Sequence, residues 1–347
     1  MKKIFQFFAL FCTVVCMGVS VGCNKIGNTS KNFTVKSGVL VGIQGKAFEA
    51  EDLEVPLEVE GTAVSGLGEK AFCQSYLDNE LLKSVSISAN ITSIDSRAFH
   101  NCPNREEIKV ASDNEYFQSI DGVLYSKDGK SLIRYPNGKN GNSFTIPNQV
   151  KKICDGAFNG YGLELKEVVL PNEIEYIGNS GLATMGGLDN GRVTMMLNCT
   201  EKDGGYYLGS VENPYLAFAG VVSRKIDSVS IHTDTKFILS WAFNLSEVKS
   251  VKIPNGVVQL GAESFSYCAR LNSVSLPLSL KNIGKDAFFQ CTALKSVSFT
   301  IAKNWYVDDL LMAEAELQDV ATAAKYLSTT YCGNEWERKI IIAEDEN

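Results

Sequence analysis

A solenoid of stacked, strand-bearing coils is the fold this sequence predicts, and three patterns carry that prediction. Ser250-Val251-Lys252-Ile253-Pro254 returns as Ser273-Val274-Ser275-Leu276-Pro277 and as Ser296-Val297-Ser298-Phe299, spaced 23 residues apart each time. Between these short strands a second element recurs: Val258, Leu260-Gly261, Ser264-Phe265, Cys268 and Leu271, then Leu280, Ile283-Gly284, Ala287-Phe288, Cys291 and Leu294. Earlier copies are less regular, at Leu67-Gly68 with Ala71-Phe72, at Ala98-Phe99 with Cys102, at Ile153 with Ala157-Phe158, at Ile174 to Gly178, and at Trp241-Ala242-Phe243. Self-similarity at a fixed period of this size marks an array of repeats.

Each element has a physical reason. In the strands the alternate apolar residues point inward, the period of two expected of a half-buried strand. Proline follows where the chain leaves the ladder, since it has no N–H to donate. Ala-Phe and the cysteine three residues later close the opposite wall of the coil. Six inward apolar side chains at about 1.5–3 kcal/mol each do not offset about 1.5 kcal/mol for every ordered residue of the coil. Coils must therefore cover one another, and the ends of the array need caps.

One short strand per repeat is the leucine-rich-repeat class of solenoid, β-rich, with its strands in one curved parallel sheet. The consensus I-G-x-x-A-F-x-x-C-x-x-L-x-x-V-x-L-P resembles the BspA-like (Treponema pallidum type) leucine-rich repeats of bacterial surface proteins, over roughly residues 52–300. The resemblance implies a non-enzymatic protein that binds a protein ligand, in adhesion to host matrix proteins or to other cells. The division it suggests is a signal peptide at 1–22, a tether and first strand region at 23–45, the solenoid at 46–300 and a helical cap at 301–347.

At the N-terminus Met1-Lys2-Lys3 is a basic n-region and Ile4 to Val19 an apolar run of signal-peptide length, too short and wrongly flanked for a membrane span. It ends in Ser20-Val21-Gly22-Cys23, which resembles the bacterial lipobox. Cys23 is thus the expected lipidation site and first residue of the mature chain, anchored to the outer membrane of a bacterial cell envelope. Asn24-Lys25-Ile26-Gly27 holds no acidic residue of the kind that accompanies export to the outer face. The surface and periplasmic faces both stay open.

Two stretches break the period. Ser119 to Pro136 alternates on both sides of Lys127-Asp128-Gly129-Lys130, a tight-turn signal, and reads as a hairpin projecting from the array near residues 115–137. A second hairpin, near 199–225, pairs Tyr206-Tyr207-Leu208 with Tyr215 to Val221. Aromatics gather on both, so Tyr116, Tyr125, Tyr135, Tyr206, Tyr207 and Tyr215 are the candidate ligand contacts. The outward strand positions are bland by comparison, mostly serines such as Ser250, Ser273 and Ser296, without the Trp, Tyr or Arg anchors of tight interfaces. After the last repeat, Leu310, Leu317, Ala321, Ala324 and Leu327 form a helical stripe behind Asp308-Asp309, and Trp305 and Trp336 flank it, a helix placed to cover the terminal coil.

Catalytic chemistry finds little material. The chain of 347 residues has only two histidines, His100 and His232, and no C-x-x-C pair, so neither catalytic residues nor a metal or cofactor site are assigned. With 40 acidic against 33 basic residues, nucleic acid is not an expected partner. The buried-looking cysteines at one repeat position read as structural thiols, with Cys268 and Cys291 the pair close enough for a disulfide to be considered. Besides protein binding, the alternative is a glycan-binding accessory lipoprotein whose hairpin tyrosines stack on sugar rings. Replacing Cys23 with Ala is expected to release the protein from the membrane fraction as an unprocessed or mis-sorted chain; fractionation identical to wild type would remove the lipid anchor.

Overall fold

A computed structural model describes residues 26–72, 78–100, 102–158, 165–182 and 199–339. Cys23 and Cys73 lie outside the described residues. The Val-x-Leu strands pair in parallel from coil to coil, as Asp52–Glu54, Ser84–Ile87 and Glu107–Val110, as Ser143–Thr145 and Glu167–Val169, and as Ser250–Lys252, Ser273–Leu276 and Ser296–Phe299. Their register places Val251, Val274 and Val297 side by side, all buried. The ladder therefore comes in three segments, interrupted where the sequence breaks its period.

A second parallel ladder runs along another side of the coil. It joins Val39–Ile43, Gly66–Leu67 and Ser93–Ile94, then Ser131–Arg134, Lys152–Ile153 and Tyr176–Ile177, then Ala217–Val221, Phe237–Ile238, Gln259–Leu260 and Asn282–Ile283. Most of its strands are two residues long, too short to show a period in sequence. The glycine that follows has a steric reason: a Cβ on Gly261 would run into the Ser240 backbone, and one on Gly284 into Ala262. Gly at this position lets successive coils approach.

The third wall is the Ala-Phe turn. Just before it the chain enters the left-handed region at Lys70, Trp241, Glu263 and Asp286, with φ of 59°, 60°, 53° and 56°. That conformation is unfavourable for a residue with a side chain. It aims the N–H at the next coil: Trp241 donates to the Ala262 carbonyl at 3.2 Å, and Glu263 to the Lys285 carbonyl at 2.9 Å. Phe243, Phe265 and Phe288 inside the turns stack in sequence behind Phe218 of the strand Ala217–Val221, with centroids 4.8, 4.5 and 5.1 Å apart and ring planes within 15° of parallel.

The two insertions are corrections to the sequence reading. Neither projects. Each is a three-stranded meander, Phe117–Ile120, Val123–Ser126 and Ser131–Arg134 in the first, Thr200–Lys202, Gly205–Leu208 and Ala217–Val221 in the second. The expected turn at Lys127 to Lys130 is present, and Asp121-Gly122 adds another, with φ of 49° and 74°, repeated at Asp203-Gly204 with 49° and 84°. Both φ positive is the type I′ geometry that matches strand twist. The last strand of each meander then starts a new parallel ladder.

The strands Val123–Ser126, Gly205–Leu208 and Ala217–Val221 carry buried residues on both faces, while Phe117–Ile120 and Thr200–Lys202 stay partly or fully exposed. Leu124 belongs to the first hydrophobic core, while Val123 and Tyr125 belong to the second. Leu208, Ala217 and Ala219 belong to the second, while Tyr207 and Phe218 belong to the third. Each meander is thus a wall between two cores. The second core is closed at its far end by Gln259, whose amide accepts from the Ile177 N–H at 3.2 Å and donates to the Ile177 carbonyl at 2.5 Å.

The C-terminal cap covers both ladders with different elements. Over the end of the Val-x-Leu ladder lie the helices Glu314–Gln318 and Val320–Lys325, continued by a π-turn at Tyr326–Thr330. Over the end of the second ladder, Trp336–Arg338 adds antiparallel to Asn282–Ile283, followed outward by Trp305–Val307 and Leu310–Leu311. Trp305 and Trp336 pack against Phe299 at 5.3 and 6.3 Å. The expected helix from Asp308 is corrected: Asp308, at φ 50°, makes a hairpin turn instead. Asp319 then breaks the helix and caps the next one by accepting from Thr322 N at 2.7 Å, which shifts the phase. Leu317, Ala323, Ala324 and Leu327 are buried as a result, whereas Leu310 and Ala321 are exposed.

Phe265→Ala, which empties a fully buried site in the ring stack, is expected to destabilise the array by about 3–5 kcal/mol, and Ser273→Ala by less than about 0.5 kcal/mol. Denaturant titration compares the two. Deleting residues 303–347 uncovers both ladders and is expected to lower the unfolding midpoint and cause concentration-dependent aggregation; a monomer with an unchanged midpoint would show that the cap covers nothing.

Candidate interaction surface

Three of the six candidate tyrosines are core residues. Tyr125, Tyr135 and Tyr207 are each 1% exposed, so they are withdrawn as ligand contacts. Arg134-Tyr135 occupies the Ala-Phe position of its coil, and the Tyr135 ring stacks on Phe158 at 5.3 Å, opening a new ring column. The Tyr207 hydroxyl is spent on structure, accepting from the His232 N–H at 3.1 Å and reaching the Ser230 carbonyl at 3.4 Å. Tyr215 is half-buried under the His232 imidazole, centroids 3.9 Å apart. Tyr116 is half exposed and Tyr206 partly so. The signal missed in the sequence was the unbroken apolar run, Val-Leu-Tyr and Tyr-Tyr-Leu, which marks a strand covered on both faces rather than one.

Burial acts on these phenols directly. It pushes Tyr125 and Tyr176 well above the usual tyrosine range and Tyr135 up to about 12, with Asp121 adding to the effect at Tyr125 and Tyr135. It also raises Tyr207.

The cysteines of the repeat are wall residues. Cys268 donates to the Phe243 carbonyl at 3.0 Å, and Cys291 to the Phe265 carbonyl at 3.0 Å, each reaching one coil back. Cys102 reaches Phe72 at 3.9 Å in the same way. All six cysteines among the described residues are free thiols, so Cys268 and Cys291 do not pair. Burial pushes the Cys199 thiol up to about 11, away from nucleophilic use. His100 is held below the usual imidazole range by burial and by Arg134.

Two buried arginines escaped the sequence reading. Arg105 stands where the consensus has Leu, three residues after Cys102, and Arg134 stands where it has Ala. Both are essentially unexposed. Arg105 donates to the Phe99 carbonyl at 3.4 Å and lies 4.7 Å over the Phe99 ring. Arg134 donates to the Gly156 carbonyl at 2.6 Å and to Asn137 at 3.3 Å. Burial lowers Arg105 to about 10 and Arg134 to about 9. Departure from the consensus at two apolar positions of neighbouring coils was the available signal.

The solvent-facing feature that recurs from coil to coil is the Val-x-Leu ladder, in its three segments. Its outward positions align across coils as Ser250, Ser273 and Ser296, and as Lys252, Ser275 and Ser298, with a hydroxyl contact of 3.1 Å between Ser275 and Ser298. In the first segment Asp52 and Glu107 align beside Glu54, Ser86 and Lys109, while Ser84 between them is buried, and Lys109 pairs with Glu107 at 2.6 Å. Ion pairs fasten neighbouring coils along the flank, Lys83 with Glu51 at 2.8 Å, Lys249 with Asp227 at 3.1 Å and Arg270 with Glu247 at 2.8 Å. Exposed pairs of this kind add little stability, but they fix the positions of the charges a partner would meet.

Six copies of the BspA type leucine-rich repeat region match residues 27–121, 135–198 and 215–323. The chain belongs to this BspA-type leucine-rich-repeat family. A comparison with curated proteins finds no match. Among solved structures, a leucine-rich repeat protein from Eubacterium ventriosum is 24% identical, with 82% of this chain and 69% of that one covered and a TM-score of 0.40. A leucine-rich cell surface protein from Faecalibacterium prausnitzii is also 24% identical, over 72% of this chain and 60% of that one, with a TM-score of 0.35. A leucine-rich repeat protein from T. pallidum is 18% identical, over 74% and 82%, with a TM-score of 0.24.

Two outcomes follow for this BspA-type array. Because the raised phenols ionise near pH 10 only once exposed, their stabilising contribution is complete below pH 10 and is lost as pH climbs toward 12. Denaturant midpoints are expected to fall over that window, and phenolate absorbance to appear for the buried tyrosines only together with unfolding. Arg105→Leu restores the consensus and removes a buried charge, so it is expected to match or exceed wild-type stability, while Arg105→Ala loses about 2–5 kcal/mol, as for emptying a large buried site.

Proposed function

We propose that the protein is a non-enzymatic lipoprotein of the bacterial cell envelope, held to the outer membrane through Cys23, whose repeat array binds a protein on another surface. The observation that supports protein binding best is the register of the outward ladder positions, where Ser250, Ser273 and Ser296 run beside Lys252, Ser275 and Ser298. Backbone pairing holds these rows in place, so a partner meets a surface whose side chains lose little freedom on contact, which lowers the entropic penalty of association. Adhesion to extracellular-matrix or cell-surface proteins is the role of that surface. The glycan alternative needs an exposed aromatic platform, and burial of Tyr125, Tyr135 and Tyr207 reduces what the meanders offer to half-exposed Tyr116 and partly exposed Tyr206 and Tyr215.

Immobilised protein, exposed in parallel to matrix proteins, intact cells and a glycan array, is expected to retain protein and not glycan. Ser275→Trp combined with Ser298→Trp should reduce that retention at least tenfold while leaving the unfolding midpoint unchanged. Retention of glycans alone would overturn the reading.

A further inference from the structure

Among the described residues, the sheet formed by the second ladder does not close at its C-terminal end. Its outermost strand, Leu310–Leu311, pairs on one side with Trp305–Val307 and ends the strand order. In the hairpin, Val307 faces Leu310 and Tyr306 faces Leu311, and the Met312 N–H donates to the Trp305 carbonyl at 2.8 Å. Alternation along an antiparallel strand then turns the N–H and C=O of Leu311 toward the open edge. Leu310 and Leu311 are each 54% exposed, an apolar pair on an edge that soluble proteins normally blunt with charge or proline. Beside them is an open hollow of about 360 Å³ lined by Lys303, Asn304, Leu311, Met312, Ala313 and Glu314.

We propose that this edge receives an extended, basic segment of the partner protein as an added β-strand, its apolar side chains against Leu310 and Leu311. The charge around the edge selects the occupant. Asp308 and Asp309 turn the hairpin and Glu314 lines the hollow, and the four cations of residues 301–339 are Lys303, Lys325, Arg338 and Lys339. Three of those cations are already engaged: Lys303 with Glu314 at 3.8 Å, Arg338 on the Leu278 carbonyl at 2.8 Å, and Lys339 over the Tyr306 ring at 4.4 Å. A second copy of this chain would bring Asp308, Asp309 and Glu314 against the same three carboxylates, so self-pairing is disfavoured. The chain's own last residues, Ile340 to Asn347, carry Glu344, Asp345 and Glu346 and would add negative charge to a negative rim. A cationic strand satisfies the backbone, the leucines and the carboxylates together, the mode known as β-augmentation.

The site deepens the protein-binding reading and rests on it. The test uses the full chain and an eight-residue peptide of alternating valine and lysine, with an alternating valine–glutamate peptide and an N-methylated valine–lysine peptide as controls. The basic peptide is expected to bind, at least tenfold more tightly than either control, and to weaken as salt is raised. Leu311→Pro removes the edge N–H, and Asp309→Lys with Leu310→Lys reverses the surface without touching the core; each is expected to weaken the basic peptide at least tenfold. Equal binding of the acidic peptide, wild-type affinity in the Asp309→Lys/Leu310→Lys protein, self-association through this edge, or binding that appears only after residues 340–347 are removed would each overturn the site. If the basic peptide fails to bind while the full chain still retains a matrix protein, the edge site alone falls; if nothing is retained by either assay, the protein-binding reading falls with it.

Discussion

Every feature of this molecule answers to one constraint: the inner face of a coil has no cover except the next coil. Strand ladders repeat at about 4.8 Å, and the phenylalanine column keeps step at 4.5–5.1 Å between neighbouring rings. That spacing leaves no room for a side chain where Gly261 and Gly284 pass the previous coil. It also explains the strained residues before four of the turns, Lys70, Trp241, Glu263 and Asp286. Glu263 accepts a left-handed backbone because that orientation alone delivers its N–H to Lys285 on the following coil. At the array's end Asp286 keeps the same geometry and donates to Cys332 at 2.6 Å, so the cap loop supplies the carbonyl a further coil would have offered.

What could be read in the sequence follows from the same constraint. Positions that face the neighbour repeat, and repetition is visible: Phe265 and Phe288, Cys268 and Cys291, Val251, Val274 and Val297 were all assigned inward and are buried. What could not be read lacks either repetition or length. A strand such as Lys152–Ile153 is two residues long and has no period to detect. The meander tyrosines were misassigned because an aromatic outside the repeat frame looks free, although Tyr135 in fact takes a phenylalanine's place in the column. For the cap, the helical stripe was legible and its interruption was not, because Asp319 suits a helix interior poorly and a helix start well, and only the packing against Ser296–Phe299 decides between them.

The division of labour between inward and outward positions bears on function. Inward residues are dictated by stacking, so little of the chain's specificity can reside there. Outward residues are free of that demand, and the array spends them on serine and on paired charges. Buried Arg105 and Arg134 are departures from the inward rule, and both sit where the first core meets the first meander. Their guanidinium groups bind carbonyls of Ala-Phe turns at Phe99 and Gly156, so they replace packing with hydrogen bonds at a place where regular stacking stops.

The meanders give the array a mechanical property that an uninterrupted stack would not have. In a one-dimensional solenoid each coil is coupled only to its neighbours, and fraying proceeds coil by coil from an end. Here the strand Val123–Ser126 places Leu124 in one core and Tyr125 in the next, and Gly205–Leu208 divides Tyr207 and Leu208 in the same manner. A meander strand cannot leave without opening two cores at once. Gln259 ties the end of the second core to the third through both backbone groups of Ile177. The three cores are thus bound to one another by shared strands rather than by end-to-end contact, at the joints where the outward ladder itself is broken.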